Sequence, residues 1–267
     1  MGADIKSLRL RIKSVDSTLH LTRAMGLVAS SKIRRATEGM LRARQYREAV
    51  EQTVKALSAS AECQKSPYMQ KREGDRLCLV LIAGDRGLAG GYNANVFRLL
   101  RTLPPARIIP IGKRASDRFG GETVRAEGYT FAEARALAEE LCADFRLGKY
   151  DRLGIVRTRY ESMMTQEATV DFVLPLLREE GMITTGAIFE PDEMTVLNAA
   201  IPEYVAGLLI HAVRESFASE VAARRCAMDS AGKNAEEMIR SLELEYNRAR
   251  QGAITQEITE IVAGGNA

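Results

Sequence analysis

The distribution of proline constrains this chain more than any other feature of its sequence. All seven prolines lie between positions 67 and 202, so more than sixty residues at each end carry no helix breaker. A proline in a helix interior costs about 3 kcal/mol. The sequence therefore predicts two very long terminal helices with a globular centre between them.

The amino-terminal flank repeats an apolar residue every three or four positions, the pattern of a helix with one continuous seam. Only Thr22, Gly26 and Arg47 depart from the apolar set. The members of this α1 stripe are Ile5, Leu8, Ile12, Val15, Leu19, Thr22, Gly26, Ala29, Ile33, Ala36, Met40, Ala43, Arg47, Val50, Val54 and Leu57. A seam of roughly 80 Å needs a partner helix along its whole length.

The carboxy-terminal flank supplies that partner, and alanine dominates its seam, so two backbones can approach closely. Its members are Ala227, Ala231, Ala235, Met238, Leu242, Tyr246, Ala249, Ala253, Ile254, Ile258 and Ile261. The mean spacing of the first eight of these positions exceeds 3.5 residues, which disfavours a regular left-handed supercoil throughout. We expect an irregular antiparallel pair built from residues 1–60 and 203–263.

Charge separates the two flanks. Residues 1–58 carry twelve Lys and Arg against five Asp and Glu, whereas residues 203–267 carry seven against ten. The helices therefore attract each other. The basic runs at Lys32, Arg34, Arg35 and at Arg42, Arg44, Arg47 are typical either of solvated helix faces or of a surface for an acidic partner.

The remaining composition argues for few special functions. The net charge of +3 is too small to indicate nucleic acid, and no stretch approaches eighteen apolar residues. The four cysteines lack metal-ligand spacing and are expected to be free thiols. Both histidines, His20 and His211, fall in the terminal helices and are predicted to lie on their surface. We expect no cofactor, no metal and no catalytic cluster.

The centre, residues 75–178, alternates strand and helix patterns. Buried-looking runs at 77–83 and 108–111 predict two strands, and a third is expected near 122–126. Helices are predicted at 94–103 and 131–147, the region of Ala115 is expected to be loop-like, and a final strand pair is predicted at 153–160 and 168–174. The expected fold class is α/β: a Rossmann-like, mostly parallel central domain carried by a terminal antiparallel coiled coil.

A glycine-rich loop at residues 84–93 follows the first strand and raises the possibility of a nucleotide site. Its spacing is neither G-x-G-x-x-G nor that of a P-loop, since no Lys-Ser or Lys-Thr follows. We favour a structural turn in which glycines supply positive φ angles. The weaker alternative is a phosphate cradle.

Four segments together resemble the gamma subunit of F-type ATP synthases. They are residues 12–35 with LTRAM at 21–25 and VASSKIRR at 28–35, DRGLAGGYN at 85–93, residues 215–239, and YNRARQGAITQEITEI at 246–261. The matches come in the family's order and span nearly the whole chain.

The resemblance implies a rotor shaft without catalytic residues, which couples ion flow through a membrane ring to ATP synthesis or hydrolysis. Implied partners are the alpha and beta subunits, the epsilon subunit and the membrane c-ring; the implied location is the cytoplasmic face of a bacterial inner membrane. Carried over by motif, the contacts with the hexamer are Met25, Arg250, Gln251, Thr255, Gln256 and Glu257.

The chain departs from the family's usual residues at His20, Val221, Ala187 and the tail 263–267. Such departures are compatible with a second, specialised synthase type. Two other classes remain as alternatives. One is a nucleotide-dependent enzyme on the central domain, which predicts ligand binding by the isolated chain; the other is a basic coiled-coil nucleic-acid binder, which predicts steeply salt-dependent affinity.

Overall fold

The computed structural model describes residues 2–177 and 189–264, and it forms two compact units. One unit joins Met1–Ala29 with Arg224–Ala267, and the other is Ser30–Ala223. The helices are α1 (Gly2–Ser58), α2 (Tyr92–Leu100), α3 (Lys113–Phe119), α4 (Phe131–Arg146) and α5 (Glu193–Gly264). The strands are β1 (Leu77–Ile82), β2 (Arg107–Ile111), β3 (Arg152–Tyr160) and β4 (Gln166–Leu174).

The unit Ser30–Ala223 is built on one four-stranded sheet in the order β2-β1-β3-β4. Strand β1 pairs in parallel with both β2 and β3, whereas β4 is antiparallel to β3. All six residues of β1 are buried, because alternate side chains enter cores on the two faces of the sheet. This confirms the α/β class and the mostly parallel sheet.

The larger core covers one face of the sheet with residues from α1, α4 and α5. Leu57 of α1, Leu141 of α4 and Leu209 of α5 are fully buried there. One 18-residue window of α5 has a mean hydropathy of 1.5, high enough for a membrane span, and 56% of that window is buried. The apolar character of α5 is therefore largely used in the domain core.

The smaller core covers the opposite face with residues of α2, α3 and the sheet. Val96, Leu100 and Ala115 pack there against Leu79 and Leu81 of β1. Gly112 ends β2 at φ +95°, and a Cβ at this position would lie 2.0 Å from the carbonyl oxygen of Ala83. Only glycine allows this close approach of β2 to the end of β1.

In the unit of the chain termini, α1 and α5 run antiparallel. Leu19 and Thr22 lie opposite Gly232, while Arg23 reaches Glu236. Every member of the α1 stripe from Ile5 to Leu57 is buried or half-buried in its own unit. The seam predicted from periodicity is thus confirmed.

Three expectations about elements were wrong. Helix α5 begins at Glu193, ahead of Pro202, because Asp192 caps it through the Thr195 amide at 2.8 Å and because Leu197 and Ile201 are fully buried. Residues 122–126 form no strand; the Val124 carbonyl instead accepts a hydrogen bond from the Gly112 amide. The region of Ala115 is helix α3, and Ala115 itself is buried.

The residues that depart from the family pattern occupy different environments. His20 is exposed, 3.7 Å from Asp16 one turn earlier, whereas Val221 is buried in α5. Ala187 lies outside the described residues, as do positions 265–267 of the tail.

Placing proline at Ala235, a buried seam position of α5, should lower the free energy of unfolding by about 3 kcal/mol or more, because it removes a backbone hydrogen bond and kinks the helix. Ala235→Ser at the same position keeps the amide and should cost about 1 kcal/mol or less. Denaturant unfolding of the two variants measures the difference. Equal losses would show that α5 is not a continuous helix there.

Candidate functional site

Small residues set the contact between α1 and α5 in the terminal unit. A Cβ added at Gly26 would lie 3.0 Å from Arg225 Nη1 and 3.6 Å from Met228 Cβ. Thr22 is buried, and its hydroxyl donates to the Leu19 carbonyl at 2.9 Å. The helices can therefore approach closely along this stretch without a large apolar core between them.

One ion pair crosses the outer edge of this contact. Arg23 Nη2 lies 2.7 Å from Glu236 Oε1, with the side chains 57% and 39% exposed. A pair with this exposure contributes at most about 1 kcal/mol. It helps to set the register of the two helices, whereas the buried stripe supplies most of the stability.

The carboxy-terminal part of α5 extends past the end of its partner helix. Leu19 faces Gly232 and the helices are antiparallel, so the amino-terminal end of α1 at Gly2 lies opposite roughly residue 250 of α5. Ile254, Ile258 and Ile261 are accordingly 47%, 57% and 73% exposed. The expectation that these isoleucines and Met238, which is 48% exposed, lie in the intrachain seam was wrong.

The candidate contact residues lie on this outer part of α5. Arg250, Gln251, Thr255, Gln256 and Glu257 are all exposed. Some of their polar groups bond within the helix: the Thr255 hydroxyl donates to the Gln251 carbonyl at 2.9 Å, and Gln256 Nε2 donates to Glu260 Oε1 at 2.8 Å. Polar and apolar side chains here thus face outward together.

Met25 is the one candidate on α1, and it is half-buried. It lies beside Gly26 in the stretch of close helix approach, whereas the α5 candidates lie beyond the end of α1. The structure therefore does not gather the six candidates into one cluster within this chain. Periodicity also missed the exposed isoleucines, because it marks a seam without showing where the partner helix ends.

The glycine-rich loop after β1 is held by carboxylate and amide side chains of the same chain. Asp85 accepts hydrogen bonds from the amides of Lys113, Ala126 and Glu127 at 3.0, 3.1 and 2.7 Å. The Gly84 amide donates to Asn93 Oδ1 at 2.9 Å. Amides that could cradle a phosphate are thus already satisfied, which favours the structural turn over the nucleotide site.

Buried Glu220 of α5 closes the same edge of the sheet. It lies beneath Gly84, where an added Cβ would come within 2.8 Å of the Glu220 carboxyl carbon, and it accepts from the Arg86 amide at 3.4 Å. Carboxylates at this edge repel a phosphate. Within residues 2–177 and 189–264, no group of three or more metal-ligating side chains gathers either.

A buried ion-pair network joins β3, β4 and α5 in the unit Ser30–Ala223. Arg157 pairs with Asp171 of β4 and with Glu215 of α5, whose side chain is only 2% exposed. Arg44 of α1 approaches Glu215 to 3.7 Å. Removing Arg157 would take from buried Glu215 its nearest charge partner, and breaking a buried pair in this way costs about 3–5 kcal/mol.

The chain thus combines two long terminal helices that pair with each other and an α/β domain whose sheet edge is filled by its own side chains. The ATP synthase family model matches residues 4–267. The chain is 41% identical to the ATP synthase gamma chain of Ruminococcus albus over 97% of this chain and 96% of that protein. It belongs to the ATP synthase gamma-chain family, the non-catalytic central stalk of the F-type enzyme.

Other relatives agree with this assignment. The gamma chain of Moorella thermoacetica is 39% identical over 99% of both chains. The sodium-ion-specific gamma chain of Acetobacterium woodii is 35% identical over 100% of this chain and 99% of its own. A chain of the Euglena gracilis mitochondrial ATP synthase, in its OSCP/F1/c-ring structure, shares the fold with a TM-score of 0.75 at 22% identity, covering 100% of this chain and 95% of that one.

His211 of α5 is buried, so the expectation of a surface histidine was wrong. Its side chain is 4% exposed, and Nε2 has no hydrogen-bond partner among the described residues. Burial, together with the smaller effect of the nearby cations Arg47, Arg157 and Arg44, lowers the pKa of His211 to about 3. His211 is therefore neutral in the folded chain at neutral pH.

This burial makes the stability of the chain depend on pH. Below about pH 6.5 the unfolded chain binds a proton at His211, whereas the folded chain does not. The contribution of His211 to the free energy of unfolding is therefore fully present above this pH and declines as the pH falls toward 3. The loss due to His211 between pH 7 and pH 5 should be about 2 kcal/mol. His211→Gln should remove this part of the decline in urea unfolding, while His20→Gln, at an exposed position, should retain it; identical pH profiles for all three proteins would contradict the assignment.

Proposed function

We propose that this chain forms the central stalk through contacts of α5 with the alpha and beta subunits, with the epsilon subunit and the membrane c-ring as its further partners, on the cytoplasmic side of a bacterial membrane. The single observation that carries the proposal is the outer part of α5. It presents three exposed isoleucines and five exposed polar candidates beyond the end of α1. A soluble chain presents such an apolar stripe when another subunit covers it.

Different residues would supply the apolar area and the hydrogen bonds of that contact. Ile254, Ile258 and Ile261 supply apolar area, each contributing about 1.5–3 kcal/mol when fully buried. Arg250 and Gln251 supply hydrogen bonds, and a bond to a charged partner group contributes about 1.5–3 kcal/mol. Met25 adds a half-buried contact on α1.

The chain acts by transmitting conformational change. A shaft that makes different contacts with each of several equivalent catalytic sites biases those sites toward different states. The two helices of the terminal unit differ in charge as such a shaft requires, because residues 1–29 carry five Lys and Arg against two Asp and Glu, whereas residues 224–267 carry six against seven.

The purified chain should hydrolyse no ATP, yet it should strongly stimulate hydrolysis when it is added to alpha and beta subunits. The reason is that the amides at this edge of the sheet are already bonded: Gly84 donates to Asn93, and Lys113 donates to Asp85. Steady-state ATPase assays on the chain alone and on the reconstituted mixture measure both rates. Turnover by the chain alone that persists through repeated purification would favour the enzyme alternative instead.

The paired change Arg250→Ala and Gln251→Ala should lower ATP hydrolysis of the assembled complex severalfold or more. Both side chains are exposed, so the free energy of unfolding of the isolated chain, measured by thermal unfolding, should change by about 0.5 kcal/mol or less. The matched control is Arg240→Ala with Ser241→Ala, an exposed charged and polar pair earlier in the same helix. An unchanged rate with normal assembly would remove Arg250 and Gln251 from the contact, whereas a large loss of chain stability would make them structural.

A further inference from the structure

A basic cleft opens in the unit Ser30–Ala223 among α1, α5 and the segment that enters α4. Its volume is about 790 Å³, within the range of small-molecule sites. Ala36, Gly39 and Ala43, which recur on one face of α1, create the space, and a Cβ added at Gly39 would meet no atom within 4 Å. The cleft thus forms where small residues of α1 lie between longer side chains of the same helix.

Four cations and one carboxylate line this cleft: Lys32, Arg35, Arg42, Arg214 and Glu127. Glu127 is already engaged, with Lys32 Nζ at 2.5 Å and Arg86 Nη2 at 3.7 Å. In the part of the chain that the structure describes, Arg35, Arg42 and Arg214 make no ion pair with a carboxylate. Three positive charges without a carboxylate partner therefore line one concavity; Arg35 and Arg42 are exposed, and Arg214 is half-buried.

The charged form of Arg214 is disfavoured in this arrangement. It is half-buried and donates to the Tyr129 carbonyl at 2.7 Å, which leaves its charge unbalanced. Burial lowers the pKa of Arg214, and the charge of Arg42 lowers it further. An anion placed between Arg42 and Arg214 would relieve both effects.

Two aromatic rings form another wall of the cleft. Tyr46 and Phe131 meet edge to face with their centroids 5.2 Å apart. Phe131 begins α4, whose amino terminus is already capped by Thr130, with Glu133 completing the capping box. An anion in the cleft would therefore be held by the arginines, and the rings would face the organic part of a ligand.

We propose that this cleft binds a small organic diphosphate, such as a nucleoside diphosphate. A diphosphate group carries about three negative charges at neutral pH and offers oxygens that match the forked donors of arginine. This charge equals that of the three uncompensated arginines. The remaining volume and the Tyr46–Phe131 wall accommodate the organic part.

Isothermal titration of the purified full chain with sodium pyrophosphate and with ADP, at constant ionic strength, tests the assignment. We expect saturable binding of one equivalent of either compound, with ADP the tighter. Arg42→Gln should weaken both at least tenfold. Gly39→Leu, which fills the cleft and keeps every charge, should weaken ADP at least tenfold.

The matched control is Arg34→Gln, because Arg34 lies on the same helix, does not line the cleft and is 92% exposed. It should change either affinity less than twofold. Failure of both compounds to bind, an equal effect of Arg34→Gln and Arg42→Gln, or binding of pyrophosphate without ADP would each overturn the proposal. These outcomes are independent of the stalk function, which the ATPase of the assembled complex reports.

Discussion

The structure depends on covering one continuous apolar stripe on α1. Each member from Ile5 to Leu57 is buried or half-buried, but the cover differs between the two units. In the terminal unit, small residues of α5 such as Gly232 meet the stripe; in the other unit, Val54 and Leu57 enter the main core with the sheet, α4 and α5. One helix face thus serves both a close helix pair and a domain core, which explains why its spacing is regular while its side-chain sizes change.

Sequence periodicity predicted the elements whose burial repeats locally. The stripe of α1 and the apolar run of β1 were confirmed, because each residue's environment follows from its position along one element. The predictions that were wrong concern residues whose environment is set by parts of the chain distant in sequence. Pro202 is tolerated inside α5 because buried Leu197 and Ile201 anchor that turn, and His211 is buried because α5 crosses a core that its own pattern does not reveal. For the candidate contacts, sequence placed Arg250 and Gln251 on an outward face, but it did not show that Ile254 lies beyond the reach of α1.

The central domain fills the edge of its sheet at which α/β folds usually bind a ligand with its own side chains. Ligands of such folds bind outside the carboxyl ends of parallel strands. Here Asp85 takes three amides at that edge, and buried Glu220 from α5 lies beneath Gly84. Asp85 and Glu220 are far apart in the sequence, so spacing alone could exclude known phosphate motifs but could not reveal what replaces them. Asp85 instead ties residues 113 and 126–127 to this edge, and Glu220 ties α5 to it through the Arg86 amide.

The outer part of α5 links folding of the chain to its assembly. Most of the stability of a helix in a protein comes from tertiary packing, and α5 loses its partner helix near the position where Arg250 and Gln251 begin the exposed segment. If the proposed stalk contact forms, a surrounding subunit that buries Ile254, Ile258 and Ile261 would supply the missing packing and stabilise both this part of the helix and the complex. Apolar contacts are non-directional, so the isoleucines would fit any apolar surface, whereas hydrogen bonds of Arg250 and Gln251 would require a particular rotation of the shaft. An apolar stripe that permits turning, next to polar groups that distinguish one orientation from another, is the combination that a rotating stalk requires.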